Sequence, residues 1–167
     1  ALRPEFLVAD EPTAGLDVSV AASILNLLKD LLEELNLTYL IITHNLNVIS
    51  FIADRVGVMY LGKLVELGAT DDIFAHPQHP YTEALVSAIA VPDPRQREFR
   101  DRRIWLKGEI PSPKTPPPGC AFHPRCRYAE ERCSRETPLL RLTEEGHWVA
   151  CHFPEKVKEA SRLKVES

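Results

Sequence analysis

Phe6-Leu7-Val8-Ala9-Asp10-Glu11-Pro12-Thr13 decides how the chain is read. Three apolar residues and a small one run directly into two adjacent carboxylates and a proline. A short, uninterrupted apolar run suits a strand covered on both faces, as in a parallel sheet. Two acids at the carboxyl end of such a strand are costly unless they meet a cation or perform chemistry. The pair Asp10 and Glu11 is therefore the first candidate site.

The next fifty residues extend that reading. Thr13 to Leu16 reads as a loop and Asp17 as a helix N-cap. Val20, Ile24, Leu27, Leu28, Leu31 and Leu35 recur at helical spacing over about residues 18–35. Asn36 ends the helix. Thr38-Tyr39-Leu40-Ile41-Ile42-Thr43 is a second strand of the buried type. Strand, helix and strand in this order form a right-handed βαβ unit with parallel strands, which sets the class as α/β. Carboxyl ends of neighbouring parallel strands line the ligand crevice of such folds, so Glu11 and His44 should share one rim. A histidine there can bind a terminal phosphate oxygen.

Composition bounds what else the chain can be. Its 167 residues are 44% hydrophobic and 26% charged, with a net charge of −4. No apolar run reaches the roughly 18 residues that span a bilayer, and the first residues lack a signal-peptide layout. Residues 1–90 hold 4 Lys/Arg against 12 Asp/Glu, while residues 91–167 hold 16 against 12. All four cysteines and 10 of the 14 prolines lie in the second part. The shift places an expected domain seam near Val91-Pro92-Asp93-Pro94, dividing the chain into 1–90 and 91–167.

Beyond Thr43 the sequence predicts a short helix at about 46–53, then a β-hairpin from Val56–Leu61 and Lys63–Leu67 around Gly62, at a sheet edge. Thr70 is expected to cap a brief helix through Phe74, and Pro80 to open another through Ile89. Arg95–Arg103 reads as exposed and charged, and Arg103–Ile110 as a strand. Five prolines within 111–118 imply an extended segment. A polar surface helix is expected over Glu155–Val165.

Cys120, Cys126, Cys133 and Cys151 follow the spacing C-x5-C-x6-C-x17-C. An even count admits disulfides, with three connectivities. Structural zinc favours C-x2-4-C pairs, and none occurs here. Longer spacings suit a bulkier centre, and four cysteines are the usual ligands of a [4Fe–4S] cluster. Free thiols, disulfides, zinc and the cluster all stay open on spacing alone. His123, His147 and His152 lie nearby as lesser ligand candidates.

Residues 6–68 resemble the second half of an ABC-type ATPase domain, a P-loop NTPase fold. Asp10-Glu11 match the Walker B pair, Ala14-Gly15-Leu16-Asp17 the D-loop, and His44 the switch histidine. His79-Pro80-Tyr81-Thr82 and the cysteine tail are similar to the C-terminal extension of oligopeptide and dipeptide importers, so the likeness covers nearly the whole chain. The resemblance implies that Asp10 holds Mg²⁺, that Glu11 and His44 act on the γ-phosphate and its attacking water, and that Asp17 reaches toward the ATP site of a dimer partner. It also implies that the four cysteines are metal ligands, with [4Fe–4S] ahead of Zn²⁺. The implied function is ATP-driven peptide uptake at the cytoplasmic face of the membrane. The implied partners are a second ATP-binding subunit (identical or different), two transmembrane permease subunits and, indirectly, an extracytoplasmic peptide-binding protein.

Two positions depart from the family pattern. Gly15 stands where alanine is usual, which should loosen the D-loop. Asn45 follows the switch histidine where aspartate is frequent, and it can still cap a helix. Two larger elements are missing from the sequence: no Gly-x-x-x-x-Gly-Lys-Ser/Thr run and no Leu-Ser-Gly-Gly signature occur. The chain alone is therefore expected not to hydrolyse ATP, and it reads as a fragment of the ATPase subunit. A rival class is a fragment of a nucleic-acid-associated ABC-like ATPase with a metal module, suggested by Trp105, Phe122, Tyr128, Trp148 and Phe153 among basic residues. Acidic residues interleave with that basic tail, so no nucleic-acid partner is expected.

Overall fold

The computed structural model describes residues 4–89, 103–144 and 146–165. It divides into two compact units, Ala1–Ala53 and Asp54–Ser167. The compositional seam near residue 91 falls within the second unit, in a stretch outside the described residues.

The first unit is β1 (Phe6–Asp10), α1 (Val18–Leu35), β2 (Thr38–Ile42) and α2 (Leu46–Ile52). β1 and β2 pair in parallel, with Val8 opposite Leu40 and Asp10 opposite Ile42. This is the expected α/β unit. Asp17 caps α1 by accepting bonds from the backbone N–H groups of Ser19 and Val20, both at 3.0 Å. Asn36 closes α1 in the left-handed conformation at φ 50°, as asparagine tolerates. Asn45 caps α2 by accepting from the Asn47 N–H at 3.1 Å. The helical stripe is only partly covered. Leu25 is the buried residue of α1, whereas Val20, Leu27 and Leu35 are exposed. Among the described residues, Leu25 and Val48 are the whole buried apolar core of this unit.

The second unit holds nearly all the core. β3 (Arg55–Tyr60) and β4 (Lys63–Ala69) form the expected antiparallel hairpin. Leu61 and Gly62 connect them, both with positive φ (46° and 75°), the two-residue turn that matches strand twist. β4 is not an edge. β5 (Arg141–Glu144) and β6 (His147–Val149) extend the sheet in the order β3-β4-β6-β5. These two strands have no counterpart in the sequence reading. The expected strand over 103–110 is instead irregular.

α3 (Thr70–Ala75) and α4 (Pro80–Ser87) follow the hairpin. Thr70 is the first residue of α3 rather than its cap; the capping position is Ala69, which makes no side-chain cap bond. His79 caps α4, its ring nitrogen Nδ1 accepting from the Tyr81 N–H at 3.1 Å. The cysteine region folds as a 3₁₀ turn at His123–Arg125, then α5 (Glu131–Arg135). α6 (Pro154–Val165) ends the described chain and is more than a surface helix, because Val157 is fully buried. Lys156 and Lys158 of α6 pair with Glu130 and Glu144.

Phe122 is the centre of this core. It is 2% exposed, with ring centroids of Tyr60 at 5.1 Å, Tyr81 at 5.5 Å and His79 at 5.7 Å. The cysteine loop thereby packs onto β3 and α4. Gly119 holds the loop's start at φ 70°, and a Cβ there would lie 2.5 Å from the Cys133 carbonyl oxygen. Only glycine meets both demands. Phe122→Ala should lower stability by about 3–5 kcal/mol, read from urea unfolding. Gly119→Ala should destabilise the same unit through a backbone clash that no rotamer can relieve.

Candidate functional site

The strand ends do bring Glu11 and His44 together. The Glu11 N–H donates to the Ile42 carbonyl at 2.8 Å, which carries the parallel pairing one residue past β1. Glu11 itself takes φ 46°, a left-handed conformation unusual for a side chain with a Cβ. That turn aims its carboxylate at the end of β2. Oε1 lies 2.6 Å from His44 Nδ1 and accepts the His44 N–H at 3.1 Å. Oε2 accepts the Thr43 hydroxyl at 3.1 Å. The strained backbone is thus held by four bonds to a single neighbouring segment.

These bonds shape the chemistry. The hydrogen bond from His44 pulls the Glu11 carboxyl below its ordinary 4.5, and partial desolvation opposes it. Glu11 is therefore a carboxylate at neutral pH, able to accept a proton. With Nδ1 spent on Glu11, Nε2 is the ring nitrogen left to a ligand; the His44 side chain is 86% exposed. Asp10 ends β1 on the exposed face. Its carboxylate has no hydrogen bond or ion pair among the described residues.

Asp17 lies in the same unit and caps α1 through one carboxylate oxygen. One oxygen, Oδ1, receives the Ser19 N–H, the Ser19 hydroxyl at 2.7 Å and the Val20 N–H. Those bonds hold its carboxyl below the ordinary 3.8. Gly15 in the preceding loop has φ 73°. Glycine fits this left-handed turn, where alanine would be strained, so it is a requirement of the loop more than a loosening of it.

The four cysteines line one small cavity with His79 and Phe122 among its walls. Among the described residues, no group of three or more His, Cys, Asp or Glu side chains is placed to hold an ion, and all four cysteines are free of disulfides. The iron–sulfur expectation, and the zinc alternative with it, is corrected accordingly. Burial raises the thiols of Cys120, Cys126 and Cys151, to about 11 and about 12 for the last two.

The neighbouring histidines are also committed elsewhere. His123 Nδ1 donates to the Cys120 carbonyl and His152 Nε2 to the Glu136 carbonyl, both at 2.9 Å. His147 is 2% exposed and meets Glu66 Oε1 through Nε2 at 2.8 Å. Sequence reasoning missed that partner. Glu66 is fully buried, and it also accepts the N–H groups of Gln78 at 2.6 Å and His79 at 3.0 Å. Gln78 Nε2 donates in turn to His147 Nδ1 at 3.2 Å. Glu83, 4% exposed, takes Arg127 at 2.5 Å and the Tyr128 hydroxyl at 3.1 Å. The available signal was an acid within a largely apolar strand and another inside an apolar helix.

With this geometry established, the chain can be set beside known proteins. Residues 65–133 match the family described as "Oligopeptide/dipeptide transporter, C-terminal region". The chain is 50% identical over 152 residues to the oligopeptide transport ATP-binding protein AppF of Bacillus subtilis, covering 91% of this chain and 46% of that one. The chain is thus similar, over most of its own length, to peptide-transporter ATP-binding proteins. It is also 46% identical to the putative oligopeptide transport ATP-binding protein YkfD of the same organism, over 98% of this chain and 50% of that one. A putative peptide import ATP-binding protein of Brucella ovis is 50% identical, over 90% and 46%. The chain thus spans about half the length of these relatives. A solved structure, cbiO1 of Clostridium perfringens, described as part of the ABC transporter complex cbiONQ, is 37% identical over 44% of this chain and 29% of its own. Its TM-score of 0.41 is too low to bear on the fold. The names of these three relatives describe peptide transport or import, and none describes nucleic-acid binding.

The depressed Glu11 carboxyl gives a pH signature. Its pairing with His44 is present above the ordinary 4.5 and is lost as pH falls through the lower folded value. In a carboxyl NMR titration, Glu11 should show a midpoint below 4.5, and His44→Ala should move it upward. The thiols give a second prediction. Iodoacetamide at pH 8 should leave Cys126 and Cys151 largely unmodified in the folded protein, and label all four cysteines in guanidinium.

Proposed function

We propose that this segment supplies the hydrolytic edge of an ATP-driven peptide importer. The observation that carries the reading is the Glu11–His44 pair, held at 2.6 Å across the carboxyl ends of two parallel strands. In this role Glu11, kept ionised, accepts the proton of the water that attacks the γ-phosphate. His44 fixes the Glu11 carboxylate through Nδ1 and turns Nε2 toward the γ-phosphate oxygens. Thr43 holds the second carboxylate oxygen, so Glu11 keeps one orientation.

Asp10, exposed and without a partner among the described residues, suits a Mg²⁺ ligand, since hard divalent cations prefer carboxylate oxygen. Bound Mg²⁺ would neutralise charge on the β- and γ-phosphates. Asp17 would face a second ATP-binding subunit. Two transmembrane permease subunits and an extracytoplasmic peptide-binding protein would complete the assembly, with this subunit peripheral at the cytoplasmic face. No helix among the described residues is long and apolar enough to cross a membrane, which fits a peripheral role. The 167 residues contain no phosphate loop or signature motif, so ATP binding and turnover would need further sequence.

The test is a chimera in which this segment replaces the matching stretch of Bacillus subtilis AppF. Glu11→Gln should keep ATP binding and lower hydrolysis by about 10²–10⁴-fold, the range of a lost general base. Undiminished turnover in that variant would overturn the assignment. The 167 residues alone should show no turnover.

A further inference from the structure

The two oxygens of the Glu11 carboxylate are not equivalent. Oε1 accepts twice, from His44 Nδ1 at 2.6 Å and from the His44 N–H at 3.1 Å. Oε2 accepts once, from the Thr43 hydroxyl at 3.1 Å. A carboxylate oxygen offers about two lone-pair sites, so Oε1 is filled and Oε2 keeps one open among the described residues. The direction of the Thr43 bond is also fixed. Its Oγ1 accepts the backbone N–H of Asn45 at 3.1 Å, and an amide N–H can only donate. The single hydroxyl proton is thereby turned to Oε2. Asn45 is itself held, because its side chain caps α2 and its carbonyl accepts the N–H groups of Val48 and Ile49. Thr43 is half-buried, and its branch at Cβ restricts the side chain to few rotamers.

We propose that Oε2 is the oxygen of Glu11 that takes the proton, and that Thr43 is the positioning residue that selects it, anchored by the Asn45 backbone at the start of α2. With Glu11 as the general base of the proposed function, on which this rests, the water O–H bond breaks toward Oε2 while the water oxygen bonds to the γ-phosphorus. The bond from that phosphorus to the bridging oxygen breaks, and ADP leaves with the electron pair. Thr43 acts through Glu11. The last torsion of a glutamate side chain is soft, so a carboxylate anchored at Oε1 alone can rotate and carry Oε2 out of line. A bond at each oxygen stops that rotation.

The test uses the AppF chimera and reads steady-state ATP hydrolysis. Thr43→Val keeps the branched shape and removes the hydroxyl; it should lower kcat by about 10–100-fold, the scale of a misplaced catalytic group, and leave KM for ATP unchanged. Thr43→Ser, which keeps the hydroxyl, should restore most of the rate. In a Glu11→Gln background Thr43→Val should cost nothing further, because the two residues act as one unit. Thr43→Val at the parent rate beside a slow Glu11→Gln would overturn the positioning role and leave Glu11 as the base. Full turnover in both variants would overturn the catalytic reading of Glu11 and the role of Thr43 with it. Thr43→Ser as slow as Thr43→Val, a raised KM with kcat intact, or an equal further loss in the Glu11→Gln background would each overturn the positioning role alone. In the 167-residue chain, amide exchange at Asn45 should quicken in Thr43→Val and not in Thr43→Ser. Unchanged exchange in Thr43→Val would overturn the anchoring of Thr43 by Asn45.

Discussion

A fully buried carboxylate organises the larger unit. Glu66 sits in β4 with no exposure, so its charge must be met inside the protein or the strand cannot stay there. Three donors meet it: the backbone N–H groups of Gln78 and His79, and the His147 ring. Each comes from a different distance along the chain, the nearest 12 residues away and the farthest 81. Satisfying one side chain therefore fixes the turn before α4 and seats β6 beside β4. With β6 in place the sheet gains β5, and the loop carrying Phe122 closes over Tyr60 and Tyr81. Glu83 repeats the device one helix away, tying Arg127 and Tyr128 to α4.

The parts of the fold that the sequence made legible are those whose cause is local. β1, α1, β2 and α2 follow from apolar spacing and from Asp17 and Asn45 as caps. The hairpin follows from alternation and Gly62. β5 and β6 were invisible because they are four and three residues long and join the sheet through β6, which pairs with a strand about 80 positions away. The same non-locality hid Glu66. A bulge between Val58 and Met59 shifts the inward positions of the hairpin, so simple alternation does not place the acid. The seam near residue 91 was a fact about composition. Packing follows a different boundary, because His79, Thr82 and Glu83 are buried in the same unit as the cysteine loop.

Of the candidate site, the rim was readable and its tension was not. Strand order alone put Glu11 beside His44. Nothing in the residues announced that Glu11 adopts a left-handed backbone, or that Thr43 takes the other carboxylate oxygen. Spacing misled most at the cysteines. Four thiols line one cavity, yet among the described residues no three donors are placed for an ion. What that region does show is how a loop poor in regular elements is held: an aromatic core at Phe122, one obligatory glycine, and two internal carboxylates.

Asp17 illustrates how a single side chain divides its duties by atom. All three of its local bonds converge on Oδ1, leaving Oδ2 without a hydrogen bond among the described residues. The helix start is thus secured by half of the carboxylate, and the other half remains available to whatever lies beyond the loop. Charge and capping are therefore separable at this position. An asparagine would keep the oxygen that the helix uses and surrender the anion. Anything that depends on Asp17 from outside then responds to its charge, while α1 responds only to its geometry.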